Sequence, residues 1–374
     1  MTLRSDQFMR IGLIAPPFIS VPPNGYGGTE LFVALLAEGL AKRGLKVIVY
    51  TNGESTVAVE KRWLYSRSEW PVSAEGCGAL KELEHAAWAV GDARQSCDLI
   101  HVNDAQGVAC STFADLPAVH TIHHPYERPL SDFYKRHPHI RYVAISDFQR
   151  SRESLPGIRT IHHGIDLAQY RHCERKQDYL CFLGRIAPIK GTHLAIAVAK
   201  KAGIPLKIAG EVQPMFRDYF DSEIKPHIDG KFIEYLGVAD LSAKNELLGN
   251  SRALLFPIQW DEPFGLVLIE SMACGTPVLA LPGGSVCEIV REGVSGYICH
   301  SVEELAVRAA RLEISSQSVR RYAEERFSVR RMAEQYAELY ETLGSVNPPR
   351  DHAHPEKQRS STAAHWGDPQ AEAA

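Results

Sequence analysis

An α/β protein made of two doubly wound parallel-sheet domains is what this sequence predicts. Three observations predict it. Short apolar runs of four or five residues alternate with segments of helical periodicity along most of the chain. The alternation is interrupted once, at residues 164–175, by the polar and irregular run GIDLAQYRHCER. A length of 374 residues accommodates two domains of ordinary size, each able to bury its own core.

Residues 11–15 form the first expected strand, followed by the loop PPFISVPPNGYGG. Thr29 can cap a helix over 29–43, whose apolar residues Leu31, Leu35, Leu36 and Leu40 recur at helical spacing; Gly44 ends it, and 46–50 is the next strand. This βαβ unit invites a dinucleotide-binding reading, and its details weaken it. GYGGTE puts Glu30 where the third glycine of G-x-G-x-x-G is needed, and the second strand ends in Tyr50, Thr51 and Asn52, with no acidic residue for a ribose. No nicotinamide, flavin or other cofactor is therefore expected. Gly27 and Gly28 either serve a tight turn or let the backbone approach an anion across a cleft.

Further strands are expected at 99–102, 118–122, 142–145 and 158–161, with a helix at 80–90; the remainder of 53–95 gives no clear pattern. His123 stands where the 118–122 strand ends, the usual place of ligand groups in open α/β sheets. The other histidines nearby read as surface or packing residues, and His120 and His123 lack further partners at zinc-ligand spacing.

After the interruption at 164–175, a second alternation begins with a strand at 179–183 that runs into GRIAPIKG. Arg185 and Lys190 thus fall in a loop at a strand's carboxyl end, where a planar fork and a point charge suit a diphosphate; the bland alternative is two solvated cations. Strands at 206–209, 232–235, 253–256 and 277–281 and helices at 192–202, 215–225 and 242–248 complete this half. From 302 the chain is helical, and 329–343 is amphipathic through Met332, Tyr336, Leu339 and Tyr340. Residues 345–374 carry little apolar surface beyond Trp366, the composition of a disordered tail.

The most informative stretch is RALLFPIQWDEPFGLVLIESMACGTPVLALPGG, beginning at Arg252. A strand leads into a polar loop, and a helix starts near Phe264 and stops at Gly275. Backbone NH groups at Gly265, Leu266 and Val267 and the positive end of a helix dipole then face one crevice, a ready anion site. Glu262 and Glu270 bracket it, and at ~1.5 Å per helical residue their backbones stand roughly 12 Å apart. Carboxylate pairs that hydrolyse glycosides stand ~5 to 9.5 Å apart. Two groups at opposite ends of an anion site better suit an elongated ligand, with a sugar, a diphosphate and a ribose in line. Taken alone, the segment also fits a capped helix with solvated glutamates.

EPFGLVLIE followed by SMACGTPV resembles the E-x(7)-E signature of the family 4 (group 1) retaining glycosyltransferases. GYGGTE resembles the first loop of that family, GR…KG its phosphate-binding pattern, and TIHH its histidine after a threonine and an apolar residue, which falls on His123. The resemblance implies the GT-B fold, two Rossmann-like domains facing across a cleft. Residues 1–165 would form the acceptor side and 176–328 the donor side, with 329–343 crossing back onto the first domain. It also implies roles. Arg185 and Lys190, with NH groups at Gly265 and Leu266, would stabilise the leaving diphosphate; Glu262 would hold sugar hydroxyls, Glu270 the ribose, and His123 the sugar near the reacting carbon. Phe264 and Val267 would complete the donor loop. Glu211 and Val238, in the turns after IAG and YLG, would lie near the base.

Composition limits the alternatives. A formal net charge of -4 with 23% charged residues gives no basic balance to attract nucleic acid. Eight cysteines without a C-x-x-C pair read as reduced residues of a cytoplasmic protein. The N-terminus does not resemble a secretory signal, and the basic stretch 128–152 has acidic neighbours, so a solvated face is a better reading of it than membrane association. No D-x-D motif offers a divalent metal to a diphosphate. The combined expectation is a retaining, metal-independent hexosyltransferase using a nucleotide-diphosphate sugar, UDP-linked in preference to GDP-linked, with an unidentified acceptor. Two other functions fit parts of the pattern: a nucleotide-sugar epimerase of related fold, and a non-catalytic nucleotide-sugar binding protein.

Overall fold

The computed structural model describes residues 9–25, 27–72 and 77–346. Its first sheet holds β1 (Arg10–Ile14), β2 (Lys46–Thr51), β3 (Glu60–Trp63), β4 (Leu99–Val102), β5 (Ala118–Ile122), β6 (Ile140–Ala144) and β7 (Arg159–Thr160). Its second holds β8 (Leu180–Leu183), β9 (Leu206–Ala209), β10 (Ile233–Tyr235), β11 (Ala253–Phe256), β12 (Val278–Ala280) and β13 (Gly296–Ile298). The orders are β3-β2-β1-β4-β5-β6-β7 and β10-β9-β8-β11-β12-β13, and every pairing among the described strands is parallel. Parallel strands covered on both faces are continuous apolar runs, which is why LIHV and ALLF are buried throughout.

In each sheet the strand order reverses once, between β1 and β4 and between β8 and β11. Ligands of open α/β sheets bind in the crevice at that reversal, outside the carboxyl ends of the strands. The molecule is thus a GT-B fold, two such sheets with a crevice at the carboxyl end of each.

The last helix, Val329–Val346, packs on the first helix, Gly28–Lys42, and so returns to the first sheet. Gly39 permits the close approach, because a Cβ there would stand 2.7 Å from that of Ala333. A buried polar chain fixes its rotation. Tyr340 Oη lies 2.7 Å from His101 Nδ1, His101 Nε2 lies 2.8 Å from Thr121 Oγ1, and Thr121 Oγ1 lies 2.8 Å from Tyr336 Oη. Between the sheets, the backbone of Ile165 bonds to Phe327 and Val329, joining the inter-sheet segment to the start of this helix. No described helix is long and apolar enough to cross a membrane.

Several expectations are corrected. The first helix begins at Gly28 with Gly27 at its N-cap, φ 142°, so Thr29 lies inside the helix and caps nothing. Residues 215–225 are no single helix: Pro214 and Pro226 each remove an NH donor, and short 3₁₀, α and π turns between them bury Phe220 and Ile224. The unread region supplies the edge strand β3, and the expected 80–90 helix extends over Gly78–Ser96. The short strand β13 adds an edge to the second sheet that was not anticipated. Residues 345 and 346 continue the last helix; the rest of the expected tail lies outside the described residues.

Candidate active site

Loops from both sheets meet in one cleft of about 390 Å³. From the first sheet come Gly27 and Gly28, where the loop after β1 enters the first helix, and His123, immediately after β5. From the second come Arg185 and Lys190 after β8, Glu211 after β9, Val238 after β10, and Glu262 with Phe264, Gly265, Leu266, Val267 and Glu270 after β11. Every residue singled out in the sequence for the donor or the chemistry therefore lines this cleft.

Glu262 is buried and accepts two hydrogen bonds at the same oxygen. Lys190 Nζ lies 2.5 Å from Oε2 and Trp260 Nε1 lies 3.0 Å from it. The ammonium also sits 4.4 Å from the centre of the Trp260 ring, a cation–π arrangement. Two bonds from Ser285 hold the loop itself, from its backbone NH to the Glu262 carbonyl and from its side-chain Oγ to the Phe264 carbonyl, each at 2.9 Å.

Glu270, on the Leu266–Ala273 helix, repeats the arrangement. Its Oε1 accepts from Tyr170 Oη at 2.9 Å and from Lys244 Nζ at 3.1 Å. Burial beside this carboxylate raises the Tyr170 phenol's pKa, so Tyr170 stays a donor. Each glutamate thus commits one oxygen to protein donors, and the other has no hydrogen-bond partner among the described residues.

Arg185 leans on the Phe216 ring and donates to Gln213 Oε1 at 3.2 Å, while its buried Nε has no partner among the described residues. A buried guanidinium NH without a partner costs stability unless a ligand or water accepts from it. On the opposite side His123 stacks parallel to His163, ring centres 5.7 Å apart, and His163 meets Phe264 edge-on. Burial, with further imidazoles nearby, holds His123 well below its ordinary pKa and lowers that of His163 to about 3, so both are neutral.

The two halves of the chain match known families. Residues 26–169 match Glycosyltransferase Family 4, and residues 171–328 match Glycosyl transferases group 1. The chain belongs to the family 4, group 1 glycosyltransferases. A phosphatidyl-myo-inositol mannosyltransferase of Mycobacterium leprae is 25% identical over 90% of this chain and 98% of its own length. A D-inositol 3-phosphate glycosyltransferase of Mycobacterium marinum is 30% identical, over 40% of this chain and 35% of its own length. Among solved structures, AviGT4, a glycosyltransferase involved in avilamycin A biosynthesis, superposes with a TM-score of 0.67 at 25% identity over 90% of this chain and 98% of its own. Sucrose-phosphate synthase of Thermosynechococcus elongatus reaches 0.76 at 19% identity over 90% of this chain and 100% of its own, a likeness of fold.

In this glycosyltransferase, sequence reading missed Trp260, Tyr170, Lys244 and His163. Trp260 stood two positions from Glu262 in the loop already singled out, the one available local signal. The others reach the cleft or its groups through tertiary packing. Among the described residues, the His and carboxylate cluster with metal-ligand spacing is Asp147, His162 and Glu288, none of which lines the cleft. The Glu288 oxygens there already accept from the backbone NH of Asp147 and of Phe148, both at 2.9 Å.

Proposed function

We propose that the cleft binds a nucleotide-diphosphate sugar lengthwise and transfers its hexosyl group, with retained anomeric configuration, to an acceptor on the side of the first domain. The donor domain is taken as 176–328, facing 1–165 with the 329–343 segment. One observation carries the proposal: two glutamates in one cleft, each holding one oxygen ready, share that cleft with Arg185, Lys190 and the start of the Leu266–Ala273 helix. Glu262 addresses the sugar and Glu270 the ribose. Arg185, Lys190 and the helix start stabilise the charge that builds on the departing diphosphate, preorganised donors being effective where water is excluded. Val238 and Glu211 lie toward the base.

A UDP-linked sugar is favoured, and a structure similar in fold at 19% identity, Anabaena HepE, is described in complex with UDP-glucose. Cationic side chains and a helix N-terminus stand where a metal would otherwise neutralise phosphate, so transfer proceeds without a divalent ion. The free state of all eight cysteines supports a reducing, cytoplasmic setting. The test is a panel of UDP- and GDP-hexoses assayed with an acceptor library, reading free nucleoside diphosphate and new glycoside together. Acceptor-dependent release that persists in EDTA is expected. Sugar isomerisation without release, or activity abolished by EDTA and restored by magnesium, contradicts the proposal.

A further inference from the structure

We propose that Asn103 is a positioning residue that fixes the tautomer of His123, so that His123 meets the bound sugar through Nδ1 as a hydrogen-bond acceptor. The proposal rests on the donor-binding reading above. Asn103 follows β4 and His123 follows β5, adjacent strands at the floor of the cleft. The Asn103 amide nitrogen lies 2.9 Å from the carbonyl oxygen of Ile14, the last residue of β1, and 3.5 Å from that of His101. Two carbonyls on one side settle the orientation of the amide, since only its NH₂ can bond to them.

The Asn103 oxygen is thereby turned to His123 Nε2, 3.0 Å away. An amide oxygen only accepts, so Nε2 carries a proton. The ring is neutral, for burial among His163, His120, His101 and His124 disfavours a second proton. Nδ1 is consequently left with a lone pair. It has no hydrogen-bond partner among the described residues, and the ring borders the cleft. Stacking on His163 and the tilted contact with Phe32, 4.9 Å between ring centres, hold the ring plane. Asn103 is itself buried and tied to the end of a central strand, so the device is rigid.

The chemical consequence is directional. A sugar hydroxyl at His123 must donate its proton to Nδ1. A sugar lacking a hydroxyl at that position leaves the lone pair unmet and is discriminated against.

The experiment uses the full chain with ¹⁵N-labelled histidine and long-range ¹H–¹⁵N spectra, with His123→Gln identifying the signals of His123. The expected unliganded pattern has a protonated Nε2 and a pyridine-like Nδ1. Addition of the hexose donor from the UDP and GDP panel that most raises thermal stability should move the Nδ1 signal upfield. In Asn103→Leu the preference for Nε2 protonation should disappear, and turnover should fall about tenfold, with a smaller change in donor KM. The unliganded wild-type spectrum, assigned through His123→Gln alone, decides the matter if Asn103→Leu does not fold. A wild-type Nδ1–H tautomer, an unchanged tautomer in Asn103→Leu, or undiminished turnover in that variant overturns the inference. A wild type that turns over no donor counts against the functional reading, whereas the unliganded spectrum still supports or overturns the tautomer assignment.

Discussion

At Glu262 one oxygen serves both Lys190 and Trp260, so the carboxylate's orientation depends on two donors of different kinds. Trp260→Phe keeps an aromatic face for the ammonium and removes the indole NH. A hydrogen bond to a charged group is worth about 1.5 to 3 kcal/mol, so kcat/KM should fall about 13- to 160-fold in steady-state kinetics. Lys190→Ala should cost more in kcat than in donor binding, because it removes charge that matters most as the diphosphate departs and leaves Glu262 without its cation. An equal loss in both would place Lys190 in ground-state binding only. Much of this site was legible in the sequence, for a plain reason. Strand ends can be located from apolar runs, and Arg185, Lys190, His123 and Glu262 all lie in the loops that follow strand ends. Tyr170, Lys244 and Asn103 could not be read, since each acts through a partner distant in sequence, 100 residues away for Tyr170 and Glu270.

The last helix packs on the first helix, and its start is bonded to Ile165 in the segment between the sheets. Tyr340→Phe leaves His101 Nδ1 buried and without a partner, which should lower unfolding stability by about 1 to 3 kcal/mol in urea titrations. Gly39→Val pushes side-chain atoms into Ala333 and Val329 and should cost about 1 to 3 kcal/mol by overpacking. If neither variant is destabilised, the helix does not bear on the first sheet as described. Element type was recoverable where burial dictates pattern, as in LIHV, ALLF and the Met332, Tyr336, Leu339, Tyr340 stripe. It failed where local chemistry competes with pattern. Residues 215–225 pass through 3₁₀, α and π turns, and β3 is a half-exposed edge strand, EKRW, with no apolar run to reveal it.

Over the whole molecule, buried titratable groups set a pH window for stability. Desolvation lowers His85 to about 4 and His101, His120 and His163 to about 3, with His123 well below its ordinary value. These rings gain protons on unfolding, so their contribution is present above about pH 6.5 and is lost as pH falls. Glu30 and Asp104 are raised to about 7 and act in the opposite sense, their contribution being lost as pH rises toward 7. The buried histidines outnumber the two raised carboxyls, so stability should fall as pH is lowered from about 6.5 toward 4.5. Urea titrations across that range check this, and stability that is flat or rises on acidification contradicts it. Glu288 ties the second sheet's domain to the first through the NH groups of Asp147 and Phe148 and through His162 Nε2 at 2.7 Å. Glu288→Ala should therefore loosen closure, visible as a larger radius of gyration by small-angle scattering with donor bound. The most direct measurement of all is calorimetric binding of the intact nucleotide sugar and of the free nucleoside diphosphate to wild type, Glu262→Ala and Glu270→Ala. Glu262→Ala should weaken the sugar donor while sparing the free nucleotide, and Glu270→Ala should weaken both. Equal loss of free-nucleotide affinity in the two variants would show that the glutamates do not address opposite ends of one donor.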